Sequence, residues 1–209
     1  MAKNAKTASI DKPAVRTRRA YFDCRFGQLH VRTAFPTTGG FDEQVTLFCL
    51  HSNEGSSRSF ARFLPEIADE RSVYAPDLPG SGESDPPPTP TPADAAAAIS
   101  DFANDLRLRQ IDLLGLRSGA EVAIELSKAR PELVRRLVLI AVPALDEAPT
   151  VSQKSLVLRN KLDTEAAAQR MKNILPNAQF ADTSGNAEDL LDAAPQLLAK
   201  QIGGFLRGP

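Results

Sequence analysis

The chain has no tryptophan, two cysteines and two histidines in 209 residues. Cys24 and Cys49 are too few for a disulfide framework or a thiolate metal site, so disulfide-stapled scaffolds and zinc ribbons are excluded. They are expected to be two reduced, half-buried thiols. Any imidazole chemistry must use His30 or His51, because the chain has no other histidine. It also lacks a surplus of either charge. Twenty-five Lys and Arg against 26 Asp and Glu leave a net charge of −1, and no global field attracts nucleic acid or an anionic membrane. No apolar run approaches the roughly 18 residues of a membrane span. The expectation is a cytoplasmic protein with no metal, no cofactor, no nucleic-acid partner and no membrane partner.

What is present is enough apolar material, 42% of the residues, to bury a full core in one domain. Met1–Arg19 holds six basic residues against Asp11 alone and lacks the apolar core of a secretory signal, so it is expected to be a disordered basic arm. Residues 20–209 are expected to form one domain. Ala20–Arg25 and Gln28–Ala34 alternate as a hairpin around Phe26-Gly27, and Val45–Leu50 is the continuous apolar run of a strand covered on both faces.

Further strands are expected at Ser72–Ala75, Ile111–Leu114, Leu137–Val142, Ser155–Arg159 and Gln179–Asp182. Between them, Arg58–Glu70, Ala93–Leu106, Gly119–Arg130, Thr164–Leu175 and Leu190–Leu206 carry helical spacing. Pro86–Pro92 (PPPTPTP) reads as an extended polyproline surface segment. Strands alternating with helices of ten to fifteen residues specify an α/β fold, with a mostly parallel sheet between helices.

Ligands of such sheets bind beyond the carboxyl ends of the strands. Four loops lie there: His51–Gly55, Asp77–Ser84, Gly115–Gly119 and Asn160–Asp163. His51-Ser52-Asn53-Glu54-Gly55, before an apolar helix, resembles the His-Gly oxyanion loop of the α/β-hydrolase family. Asp77-Leu78-Pro79-Gly80-Ser81-Gly82-Glu83-Ser84-Asp85 is similar to that family's D-x-x-G-x-G-x-S-D loop. Gly115-Leu116-Arg117-Ser118-Gly119 lies where the family carries the nucleophile elbow G-x-S-x-G. The resemblance covers about residues 20–206. It implies an eight-stranded α/β-hydrolase sheet, and it assigns His51, Ser52, Asn53 and Ser118 to the oxyanion loop and ligand-binding region.

The departures from the pattern carry the functional reading. The nucleophile position is Arg117. Ser118 comes one residue late, and one step turns a side chain by about 100° around a helix, so Ser118 reads as an ordinary helix N-terminal serine. Leu156–Asp163 resembles the strand and turn that supply the triad carboxylate, Asp163, with Asn160 in place of a glycine. The base position aligns with Asn186, and an amide takes no proton near pH 7. His51 belongs to the loop rather than to the base position, and His30 belongs to the hairpin.

Arg117, Asp163 and Asn186 therefore stand as a degenerate triad. Three readings of Arg117 follow. It pairs with Asp163, with Asn186 or Glu121 beside it, and fills a silent pocket while the fold serves as an interaction module; or it anchors a small anionic ligand; or a displaced Ser118 keeps an esterase or acyl-hydrolase activity on an ester. The segment from Val142 to Ser155 is too short for a helical cap. An uncovered apolar rim would then favour a homo-oligomer.

Overall fold

The computed structural model describes residues 15, 17–37, 44–143, 150–160, 165–183, 186 and 188–208. Eight strands form one sheet: β1 (Thr17–Cys24), β2 (Gly27–Ala34), β3 (Leu47–Leu50), β4 (Val73–Pro76), β5 (Ile111–Leu116), β6 (Val134–Ile140), β7 (Lys154–Asn160) and β8 (Ala178–Thr183). Their order is β1-β2-β4-β3-β5-β6-β7-β8. β2 runs antiparallel to β1 and to β4, and every other pairing is parallel. This is the expected eight-stranded α/β sheet. β1 begins at Thr17, so the last residues of the segment expected to be a disordered arm pair with Arg32–Ala34 instead.

Strand alternation divides the apolar residues between two cores. Phe48, Leu50, Leu113, Leu137 and Leu139 face one side, with Ile99 and Phe102 of α2 (Pro92–Asp105) and Val122 and Leu126 of α3 (Ser118–Ala129). Leu47, Cys49, Leu114, Val138 and Leu158 face the other. They pack against Leu64 and Ile67 of α1 (Leu64–Ile67) and Leu198, Ile202 and Leu206 of α6 (Pro195–Arg207). Cys49 is fully buried rather than half-buried, and Cys24 is half-buried; both are free thiols.

Two expected helices are broken. Arg58–Glu70 resolves into a 3₁₀ turn at Ser57–Phe60, capped by the Ser56 hydroxyl, and the single turn α1. Leu190–Leu206 resolves into α5 (Leu190–Ala193) and α6, because Pro195 has no N–H to continue the first helix and serves as the first residue of the second. The proline tract lies on the surface but is not a straight polyproline rod: the chain bends at Pro88-Thr89 and Pro87 is buried. Thr91 caps α2, its hydroxyl accepting from the Asp94 amide at 3.1 Å. Residues 141–153 join β6 to β7, and among the described residues no cap domain lies over the sheet.

At the amino end of the strands, the fully buried Asp112 accepts from Arg71 at 3.2 Å and from Arg135 at 2.9 and 2.6 Å. Burial pushes the Asp112 carboxyl above its ordinary range, and the arginines oppose it. Arg135 and Arg136 also donate to the carbonyls of Phe205, Leu206 and Gly208, which pins the end of α6 beneath β6.

At the opposite end, Asp77 follows β4. Its carboxylate accepts from the Ser57 amide at 2.6 Å, the Glu83 amide at 3.0 Å and His30 Nδ1 at 2.9 Å. Burial raises the affinity of this carboxyl for a proton, but the hydrogen bonds outweigh it and hold the group below its ordinary range. Asp77→Ala removes the acceptor of three donors from three chain segments. Urea unfolding is expected to show a loss of about 3 kcal/mol or more, with Asp77→Asn intermediate; a loss below about 1 kcal/mol would contradict this role.

Candidate functional site

The carboxyl ends of β3 and β5 converge on the tight turn between β5 and α3. Two glycines allow it. A Cβ on Gly119 would collide with the Leu50 carbonyl, and one on Gly115 would lie 2.5 Å from the Ala120 Cα. Between them Arg117 adopts φ 52° and ψ −118°, a conformation that costs a non-glycine residue about 1–3 kcal/mol. Its amide donates to the Ile140 carbonyl at 2.9 Å, which fastens the turn to β6. The turn has the sharp strand-to-helix geometry of a nucleophile elbow, with a guanidinium as its side chain.

The Arg117 side chain is 57% exposed and its Nη1 donates to both carboxylate oxygens of Glu188, at 2.9 and 3.0 Å. Asn186 Nδ2 donates to the same carboxylate at 2.9 Å. Partial burial raises the Glu188 carboxyl, but the bonds from Asn186 and Arg117 prevail and hold it below its ordinary range. Glu188 is thus the carboxylate that Arg117 meets among the described residues; Asp163, the partner expected, lies outside them. The sequence offered one signal for it: an acid two positions after the residue at the base position. Glu121 makes no ion pair with Arg117; it lines a separate cavity of about 250 Å³ with Asn53 and Ser118.

Ser118 is the first residue of α3, and its Oγ accepts from the Asn53 amide at 2.8 Å. In an elbow of this geometry, the oxyanion donors are the amide after the nucleophile and one from the loop following β3. Here the loop donor is already taken by the Ser118 hydroxyl. Neither imidazole hydrogen-bonds Ser118. The Leu78 amide can only donate, so His51 Nε2 accepts from it at 2.8 Å and the proton sits on Nδ1, which donates to the Ser52 carbonyl at 2.7 Å. Burial pushes the His51 pKa down and favours this neutral form. His30 is buried in the hairpin against Asp77.

A cavity of about 320 Å³ opens on the other side of the turn. Ser52, Glu54, Ser59, Leu116, Arg117, Glu188, Leu191 and Asp192 contribute to its wall. The large apolar side chains exposed among the described residues are Tyr21 and Leu197, and neither lies on these loops. No group of three potential metal ligands occurs among the described residues.

Residues 45–192 match the family model for the alpha/beta hydrolase fold. The chain belongs to the α/β-hydrolase fold family. Among curated members it is 23% identical over 157 residues to the uncharacterized hydrolase YugF of Bacillus subtilis, a match covering 70% of this chain and 56% of that protein. It is 26% identical over 137 residues to the protein Mb2734 of Mycobacterium bovis, covering 65% and 40%. The chain thus spans about half the length of the curated relatives it matches.

Among solved structures, Cfl2 from Burkholderia cenocepacia superposes with a TM-score of 0.79 at 16% identity, covering 94% of this chain and 100% of that one. Carboxylesterase CesB from Bacillus subtilis gives 0.76 at 17%, covering 93% of each. These likenesses establish the α/β-hydrolase fold.

Two outcomes are expected from this geometry. Arg117→Ala and Arg117→Gly both remove the ion pair and differ only in backbone freedom at φ 52°, so the glycine variant should be the more stable by about 1 kcal/mol in chemical denaturation. His51 accepts the Leu78 amide only when neutral, and burial holds its folded pKa below the unfolded value of 6.5. Its contribution is therefore present above pH 6.5 and is lost as pH falls through the depressed folded value. The melting temperature should drop on acidification below pH 6.5, and His51→Gln should flatten that drop.

Proposed function

We propose that this α/β-hydrolase-fold protein does not carry out Ser-His-Asp hydrolysis and instead binds a small anionic ligand at the turn between β5 and α3. The observation that carries the reading is the strained elbow position itself. It presents Arg117, held by Glu188, in place of a nucleophile, and Asn186 stands at the base position. Members of a catalytic triad act as a unit, so losing the nucleophile costs nearly as much as losing all three. Ser118 does not substitute for it, because its Oγ accepts an amide hydrogen bond and both imidazoles are engaged with other groups.

The anion reading rests on what Arg117 leaves available. Nη1 serves Glu188, whereas Nε and Nη2 have no partner among the described residues and the side chain is more than half exposed. A guanidinium edge of this kind matches a carboxylate or phosphate with two parallel hydrogen bonds. The loops around it expose no large apolar side chain among the described residues, which favours a polar ligand over self-association as the use of this face.

The test is the intact mass of the protein after exposure to excess fluorophosphonate serine probe, with Ser118→Ala alongside. No adduct is expected. A stoichiometric adduct on the native chain that disappears in Ser118→Ala would establish an activated Ser118 and overturn the reading in favour of an esterase.

A further inference from the structure

We infer that the Arg117 cavity selects a monoanionic carboxylate with a short aliphatic chain over a dianion such as sulfate or phosphate; this rests on the anion-binding reading above and names the ligand class. The charges around the cavity set the preference. Among the described residues, Arg117 is the cation in its wall, and Glu54, Glu188 and Asp192 are the acids. Glu188 is spent on Arg117 Nη1, and Asp192 has Arg62 3.8 Å away, from outside the wall. Glu54 has no ion pair among the described residues, yet its charge acts on Arg117.

A ligand on the Nε–Nη2 edge, which has no partner among the described residues, therefore gains one cation at contact while sharing the cavity with three carboxylates. The two oxygens that meet the edge are the same for a carboxylate and a sulfate, but the second charge of the dianion lies on oxygens turned away from the guanidinium, where the carboxylates of the wall oppose it. The planar, two-oxygen head of a carboxylate also fits the two-donor edge.

The remaining wall specifies the rest of the ligand. Leu116 and Leu191 are nearly fully buried and present an apolar floor beside Arg117, while Ser52 and Ser59 supply the polar margin. The volume of about 320 Å³ suits a small organic acid. Binding needs no bond to form or break.

The experiment is isothermal titration calorimetry of the full chain with sodium butyrate, sodium acetate and sodium sulfate at constant ionic strength and pH 7.5. Arg117→Ala and Glu54→Gln are run in parallel. Butyrate is expected to bind roughly tenfold more tightly than sulfate, with acetate in between, and Arg117→Ala should remove binding of all three. Glu54→Gln, an exposed substitution outside the ion pair, should tighten sulfate more than butyrate and narrow the gap. Sulfate binding as tightly as butyrate, in an Arg117-dependent manner, would overturn the selectivity and leave the anion site standing. Absence of Arg117-dependent binding of any of the three would overturn the anion site itself. Acetate matching butyrate would remove the apolar floor from the account.

Discussion

Asp77 is the constraint on which the carboxyl end of the sheet depends. Three segments far apart in sequence reach it: β2 through His30, the loop after β3 through Ser57, and the loop after β4 through Glu83. The same region adds a backbone bond from the Asp77 amide to the His30 carbonyl and a bond from the Ser84 hydroxyl to the Asp77 carbonyl. A buried carboxylate is tolerable only when its lone pairs are satisfied, and these donors satisfy it. Because Ser57 belongs to the segment that follows His51–Gly55, the placement of the Asn53 amide opposite Ser118 is downstream of Asp77. His51 makes a second tie by accepting from Leu78, the residue after it.

On that frame the turn from β5 into α3 keeps the geometry of a nucleophile elbow and carries a different group. The close packing at Gly115 and Gly119 forces the reversal whatever side chain sits between them. The strain at Arg117 is therefore a property of the fold, offset by the packing around it. The group projected from this turn is a guanidinium, with the Glu188 carboxylate and the Asn186 amide beside it. An exposed ion pair of this kind adds little stability, so stability alone does not account for the arginine. Among the described residues its Nε and Nη2 have no partner, which is what the anion-binding proposal builds on.

The charges beneath the strands and those at the turn between β5 and α3 differ in burial. Beneath the strands, Asp112 is surrounded by Arg71 and Arg135, both directed inward, and the cluster locks α6 against the sheet. Above the strands, Arg117 and Glu188 meet at the surface, where solvent screens the pair. The first arrangement is a structural anchor; the second contributes little to stability.

Much of this was legible along the chain. Central strands follow from continuous apolar runs such as Val45–Leu50 and Leu137–Val142, because burial on both faces of a parallel sheet leaves no alternation to read, and the antiparallel β1–β2 hairpin follows from alternation around Phe26-Gly27. The glycines at 115 and 119 and the arginine between them marked the altered elbow, since local sterics and side-chain chemistry are written in adjacent residues. Other features depended on distant segments meeting. The helix expected over Arg58–Glu70 gave way to a 3₁₀ turn and one helical turn, and the Leu190–Leu206 helix broke at Pro195. Glu188 became the partner of Arg117 across 71 positions, and the Ser118 hydroxyl came to rest on the Asn53 amide across 65. Sequence by itself determined the α/β sheet and the identity of the residue at the elbow, because periodicity and covalent order are local quantities. Tertiary structure alone decided which carboxylate among the described residues pairs with that residue, because hydrogen-bond satisfaction is settled only where separate strands and loops are brought into contact.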